Sequence, residues 1–186
     1  MRRLAILASG SGTNAENIIK YFSSNQDIEI TCIISNKKDA YVHERAKQLG
    51  IESVTFTKQD FEQGVSVLNL LTGKQVDFIV LAGFLLKVPQ DIINAYPRAI
   101  VNIHPALLPK YGGKGMYGAH VHKAVVDAKE KESGITVHYV NENYDEGDII
   151  FQAKCEIEEH DTPDSLASKI HDLEYKYFPQ VIEGVL

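Results

Sequence analysis

Short apolar runs alternate with longer segments of helical spacing along the first hundred residues. Leu4–Ala8, Ile28–Ile34, Glu52–Phe56, Asp77–Leu81 and Ala99–Ile103 are brief, rich in Val, Ile and Leu, and bounded by turn residues. Such runs predict buried strands. Between them, Asn14–Phe22 presents Ile18, Ile19 and Phe22, Ala40–Leu49 presents Tyr41, Ala46 and Leu49, and Gln59–Leu71 presents Val65, Leu68 and Leu71. Each predicts an amphipathic helix, the last two stopped by Gly50 and Gly73. Pro89–Tyr96 predicts a further helix, with its proline in the first turn and Pro97 behind it. This alternation predicts an α/β, Rossmann-like domain: a mostly parallel sheet flanked by helices.

The last third differs. Gly134–Val140 and Asp148–Glu156 are strand-like runs with no room for a helix between them, so they predict an antiparallel C-terminal strand addition to the sheet. Thr162 and Pro163 then open a helix as cap and first residue, with Leu166, Ile170, Leu173, Tyr177, Val181 and Ile182 as its apolar face. No internal repeat or linker divides the 186 residues, and residues 1–186 read as one domain.

Composition narrows the classes. Hydrophobic residues at 44% and charged ones at 24% suit a soluble globular protein and exclude disordered and fibrous chains. No apolar run nears the roughly 18 residues of a membrane span, so no membrane partner is expected. Leu4–Ala8, behind Arg2 and Arg3, is too short for the apolar core of a signal peptide. With 25 acidic against 19 basic side chains and a formal charge of −6, a nucleic-acid partner is not expected either. Cys32 and Cys155 match no metal-ligand spacing and read as buried free thiols of a reducing cytoplasm.

Three places carry chemistry. Ser9-Gly10-Ser11-Gly12-Thr13-Asn14 joins the first strand to the first helix. Its glycines permit a tight turn and close approach, and the first helical amides can receive an anion. The same residues also suit an ordinary turn capped by Thr13 or Asn14. Gly10, Gly12 and Ala15 fit a dinucleotide fingerprint, but Asn36 stands at the end of the second strand where an acidic residue is wanted. One phosphate is the more economical ligand.

Asn102-Ile103-His104-Pro105 closes the fifth strand. Alternation sends Asn102 and His104 to one side, an amide donor beside a ring that titrates near neutrality. The alternative is a histidine that merely ties down the following proline-rich loop. Asp145 lies in the turn between the last two strands, where acidic residues are commonly solvated; beside His104 it would raise the ring's proton affinity and orient it. No serine or cysteine sits in a nucleophile motif, which favours direct transfer over a covalent intermediate. His120 and His122 lack a completing carboxylate or thiolate, so no metal is expected. His43, His160 and His171 read as surface residues.

The run Ala5–Asn14, Leu81-Ala82-Gly83-Phe84, Asn102–Pro105 with Leu107-Leu108-Pro109, and the Asp-Glu-Gly turn at Asp145 resemble, in the same order, the phosphoribosylglycinamide formyltransferases. These belong to the wider group of enzymes using 10-formyltetrahydrofolate. The resemblance spans essentially the whole chain. It implies formyl transfer from 10-formyltetrahydrofolate, a cosubstrate, to the primary amine of glycinamide ribonucleotide (GAR) in purine synthesis. It implies Asn102, His104 and Asp145 as the catalytic trio, with Asn102 and protonated His104 stabilising a tetrahedral intermediate and Asp145 assisting proton transfer. It further implies Gly12, Thr13 and Asn14 on the GAR phosphate, Glu174 on its ribose, and Leu85, Leu86, Lys87 and Val88, together with Asn102, on the folate. His120 and His138 take supporting positions. By sequence alone Glu174 also fits a solvated helix acid, and Leu85–Val88 plain core packing.

Two departures stand out. Leu86 occupies a position where many relatives carry Arg, and Tyr111–Gly118 is a glycine-rich loop longer than in some relatives, suited to closing over substrate, with Lys114 placed to meet an anion. Methionyl-tRNA formyltransferases and formyltetrahydrofolate deformylases share the trio but carry additional domains for which this chain has no space. The remaining readings are a deformylase-like hydrolase and a nucleotide-binding oxidoreductase. A cytoplasmic monomer or homodimer acting on small molecules is expected.

Overall fold

Seven strands form one sheet in the order β3-β2-β1-β4-β5-β6-β7 in the computed structural model, which describes residues 1–186. The elements are β1 (Arg2–Leu7), α1 (Thr13–Phe22), β2 (Ile28–Ser35), α2 (Val42–Gln48), β3 (Ser53–Thr55), α3 (Lys58–Gln63), α4 (Val65–Gly73), β4 (Phe78–Leu81), α5 (Gln90–Ala95) and β5 (Ile100–His104). They continue with α6 (Ala119–Asp127), β6 (Glu132–Tyr139), β7 (Ile149–Glu156) and α7 (Pro163–Val185). The chain divides into two compact units, Met1–Val101 with Leu186, and Asn102–Val185.

In the first unit β1 pairs in parallel with β2 and β4, and β2 with β3, as the strand–helix alternation requires. Leu4, Ala5, Ile6, Ile33, Ile34, Ile79 and Val80 are fully buried, the mark of strands covered on both faces. Helix α1 covers them with Ala15, Ile18, Ile19 and Phe22. Ten residues are too few for a stable isolated helix, so burial of this face holds α1, at about 1.5–3 kcal/mol per large apolar side chain.

The Gln59–Leu71 helix is two helices. Gly64 breaks it at φ 73, ψ −33, a conformation disfavoured for residues with a Cβ. The break resets the buried face from the expected Val65, Leu68 and Leu71 to Phe61, Val67 and Leu71, and leaves Val65 in solvent. A reciprocal Thr57–Asp60 capping box starts α3. Gly73 is the last residue of α4, not its stop, and Pro89 precedes α5 in an extended conformation, ψ 149.

In the second unit β6 and β7 form the expected antiparallel pair, with a register shift at Val137/His138. The Thr162 hydroxyl caps α7 by accepting from the Ser165 N–H at 3.2 Å. The core face of α7 runs through Leu166, Ile170, Glu174, Phe178 and Ile182 at every fourth position. Leu173, Tyr177 and Val181 flank that stripe half-buried. No helix is long and apolar enough to cross a membrane.

Gly134 is the tightest test of the β6–β7 ladder. A Cβ there would run into the Ala153 carbonyl and approach Leu107 Cδ2 at 2.8 Å. Gly134→Ala is expected to destabilise the protein by about 3 kcal/mol, read as a lower urea midpoint at unchanged slope. A midpoint equal to the parent's would contradict the pairing register.

Candidate active site

Strand β5 delivers Asn102 and His104 to one face, and Pro105 follows directly. Asp145 reaches them from the β6–β7 turn, where it adopts φ 57. Its Oδ2 lies 3.5 Å from His104 Nδ1 and accepts the Gly113 N–H at 3.0 Å. Its Oδ1 lies 3.4 Å from Asn102 Nδ2 and 3.5 Å from His138 Nε2. His104 is 3% exposed and His138 2%. The three residues singled out as catalytic therefore meet around one carboxylate, with His138 as a fourth member.

Hydrogen-bond chemistry assigns the tautomers. A carbonyl oxygen only accepts, so His104 Nε2, 2.8 Å from the Tyr111 carbonyl, carries a hydrogen. His104 Nδ1 is then the nitrogen that gains or loses a proton, and it faces Asp145. By the same reasoning His138 Nδ1–H donates to the Tyr139 carbonyl at 2.9 Å, and His138 Nε2 accepts from the Asn102 amide at 3.1 Å.

Burial pushes His104 below the ordinary imidazole range, against the opposing pull of the Asp145 charge and the Tyr111 carbonyl. For Asp145 burial acts upward, but the polar groups packed around it, the Gly113 N–H among them, outweigh it and hold the carboxyl below its ordinary value. At neutral pH the resting pair is an ionised carboxylate beside a neutral ring. The Asn102 amide nitrogen lies within reach of both His138 Nε2 and Asp145 Oδ1, so these two acceptors compete with any other oxygen for its hydrogens.

In the first unit, the loop after β1 is shaped from behind by α2. Val42 N–H donates to the Gly10 carbonyl at 3.1 Å and Arg45 Nε–H to the Ser11 carbonyl at 2.8 Å. Because C=O and N–H of a trans peptide point in opposite directions, the Ser11 and Gly12 amides turn away from α2. Arg45 also pairs with Glu16. Gly12 stands at the N-cap of α1 with φ 74 and no side-chain capping bond, so the expected Thr13 or Asn14 cap is absent. A Cβ on Gly12 would strike Val42. Outward amides at a helix N-terminus are an anion cradle.

Ser9, 2% exposed, ties three strand ends together. Its hydroxyl donates to Asn36 Oδ1 at 2.6 Å and accepts the Leu85 N–H at 2.9 Å, and its own N–H donates to the Gly83 carbonyl at 3.0 Å. In the segment so held, Leu85 is exposed, Leu86 half-buried, Lys87 exposed and Val88 buried. The leucines offer an apolar shelf of the kind a flat aromatic ligand needs.

Other residues differ from expectation. Glu174 is 6% exposed on the core face of α7 and is not a solvated helix acid. His120 is exposed and packs edge-on against Tyr117 at 5.2 Å, away from the trio's contacts. His43 is half-buried, with ring nitrogens bonded to Ser53 and Thr55, and Cys155 is half-buried. Tyr111 and Gly113 were not singled out as site residues. The glycine spacing marked their loop, but nothing in it marked which backbone atoms reach His104 and Asp145. His122, weighed with His120 only as a metal ligand, is buried with Nδ1 lacking a partner.

Residues 2–182 match the family model described as formyl transferase, and the chain belongs to that family. Its relatives include phosphoribosylglycinamide formyltransferases. The one from Bacillus subtilis (strain 168) is 36% identical over 191 residues, covering 100% of this chain and 95% of the relative. A chloroplastic one from Arabidopsis thaliana is 38% identical over 190 residues, covering 99% of this chain. The chain spans 65% of that relative's length and 61% of a chloroplastic relative from Vigna unguiculata. The crystal structure of the enzyme from Bacillus halodurans aligns with a TM-score of 0.91 at 37% identity, covering 100% of this chain and 95% of that one.

The buried histidines set the pH response. Burial holds both His104 and His122 below the ordinary value of 6.5, so the unfolded chain takes up protons first as the pH falls. Stability is expected to be level above pH 6.5 and to decline below it. Asp145 adds its loss only below its ordinary 3.8, as the pH approaches its depressed folded value. His122→Phe should flatten part of the decline between about pH 6.5 and pH 5. Urea midpoints that stay constant over that window in the parent would overturn the neutral, buried assignment.

Proposed function

We propose that this chain transfers a formyl group from 10-formyltetrahydrofolate to the primary amine of GAR, yielding formyl-GAR and tetrahydrofolate. The observation that carries the reading is the shared carboxylate: Asn102, His104 and His138 all stand within 3.5 Å of Asp145. The family and the names of its relatives support it. In this reading residues 1–186 act as one catalytic domain, and Gly12, Thr13 and Asn14 receive the phosphate of GAR. Glu174 contacts its ribose, and Leu85, Leu86, Lys87 and Val88 hold the folate. The leucines fit such a ligand, since exposed Leu85 and half-buried Leu86 lie beside backbone that Ser9 fixes. The free thiols Cys32 and Cys155 support a cytoplasmic setting.

The residues divide the work as follows. When the amine nitrogen bonds to the formyl carbon, negative charge develops on the formyl oxygen, and the Asn102 amide exchanges an internal acceptor for it. His104 Nδ1, a free base at rest, takes the proton lost by the nitrogen. The resulting imidazolium is paired with Asp145 and strengthens the field at the oxygen. Return of that proton to the departing folate nitrogen completes the transfer and restores the neutral ring. His138, as an acceptor for Asn102, holds the amide plane.

The test is tetrahydrofolate release with and without GAR. Release only with GAR supports the transferase. Release without it identifies a hydrolase, and no release with active folate returns the chain to nucleotide binding. Asn102→Ala, His104→Ala and Asp145→Asn should each lower kcat by about 10²–10⁴-fold at near-parental circular dichroism. Parental turnover in any well-folded one of them removes that residue from the chemistry.

A further inference from the structure

Two of the three proposed catalytic groups are held by the backbone of one three-residue strap. His104 Nε2–H donates to the Tyr111 carbonyl at 2.8 Å, and Gly113 N–H donates to Asp145 Oδ2 at 3.0 Å. Gly112, between them, passes so close that a Cβ would lie 2.5 Å from Leu108 Cδ2 and 3.3 Å from Asp145 Cβ. The direction of the Tyr111 carbonyl decides which nitrogen of His104 carries the resting hydrogen, and hence which one faces Asp145 as a base.

That direction is not one the backbone prefers. Tyr111 has φ 57, sparsely populated for a residue with a Cβ, so something outside the strap must hold it. The side chain supplies the anchor. Tyr111 Oη donates to Glu130 Oε1 at 2.9 Å, and Lys110 Nζ, the next residue back, bonds the same oxygen at 2.9 Å. Glu130 lies just beyond α6 and touches none of the trio in any of these bonds. Two consecutive side chains thus converge on one carboxylate and fix the peptide that faces His104.

We propose that Tyr111 is a positioning residue whose phenol, anchored on Glu130, aims its own carbonyl at His104 and thereby keeps the ring's hydrogen on Nε2 and its lone pair on Nδ1. The assignment of catalytic work to His104 rests on the formyltransferase reading; the tautomer itself does not. Loss of the anchor frees the Tyr111 backbone to leave φ 57, and the ring then redistributes its hydrogen. The groups around it are Asp145 at Nδ1, the Tyr111 carbonyl at Nε2, and the nearby His138 and His122 rings.

The experiment is nitrogen-15 NMR of histidine-labelled full-length protein without substrates, at about pH 8, where imidazoles are neutral. His104 is assigned by the signal lost in His104→Gln. The parent should show hydrogen on Nε2. Tyr111→Phe and Glu130→Ala should move a large fraction to Nδ1, and Glu130→Gln, which keeps an acceptor for the phenol, should restore the parental pattern. In the GAR assay the first two should lose about tenfold in kcat with KM unchanged. Hydrogen on Nδ1 in the parent, or Nε2 retained in both Tyr111→Phe and Glu130→Ala, overturns the proposal. A parent that shows the Nε2 tautomer but transfers no formyl group instead overturns the formyltransferase reading and leaves the strap's control of the ring standing.

Discussion

The ionised carboxylate of Asp145 is the constraint around which the site is built. Taking such a group out of water costs several kcal/mol unless hydrogen bonds and charge replace the lost hydration. Here the donors come from separate pieces of chain, the Asn102 amide on β5 and the Gly113 amide of the loop before α6, with the His104 and His138 rings closing round the same carboxylate at 3.5 Å. None of them could shift without exposing the cost. Asp145 meets these groups from a positive φ, 57. Gly147 allows the turn to fold back, since a Cβ there would collide with the Tyr139 carbonyl.

In two glycine-containing loops, which lie in different units, hydrogen bonds to the backbone set the direction of the peptides. A peptide whose carbonyl is bonded from behind presents its N–H forward. Val42 and Arg45 bind the Gly10 and Ser11 carbonyls and thereby orient the loop's amides. In the 111–113 strap a carbonyl goes to His104 and an amide to Asp145. Glycine is required where two backbones or a backbone and a side chain approach too closely for a Cβ, as at Gly12 against Val42 and Gly112 against Leu108. The glycines at these points are steric permissions, and the direction comes from the bonds.

Much of this was legible in the sequence because the signals were local. Strands of Val and Ile, the Asn-x-His spacing and the Thr162-Pro163 helix start follow from period and chain stiffness and appear as read, except that β3 is half-buried, not buried. The α3–α4 break was missed because a glycine in a helical pattern signals only a cost, and the decision at Gly64 depends on which face the rest of the unit can cover. Glu174 was undecidable because an acid at every-fourth spacing with Leu166, Ile170 and Phe178 looks like an interruption of the stripe, while the fold buries it within the stripe. The role of Tyr111 was invisible for a different reason. It acts through its carbonyl, which every residue possesses, and only the geometry separates that carbonyl from the rest.

The resting charge state of the ring could not be read from the sequence, and it bears on the proposed chemistry. A carboxylate beside a histidine suggests a protonated ring, since the pair attracts. Burial works the other way on the ring, and at His104 it is the stronger influence. The resting site therefore holds one negative charge on Asp145 and none on His104. An imidazolium present from the start would already have satisfied that charge and would have had no room for a further proton. A neutral ring leaves the site short of one positive charge, which in the proposed transfer the proton released by an attacking amine would supply. In the proposed transfer, proton removal from the nucleophile would proceed toward neutralisation of a buried carboxylate, in a low-dielectric setting where that neutralisation is worth most.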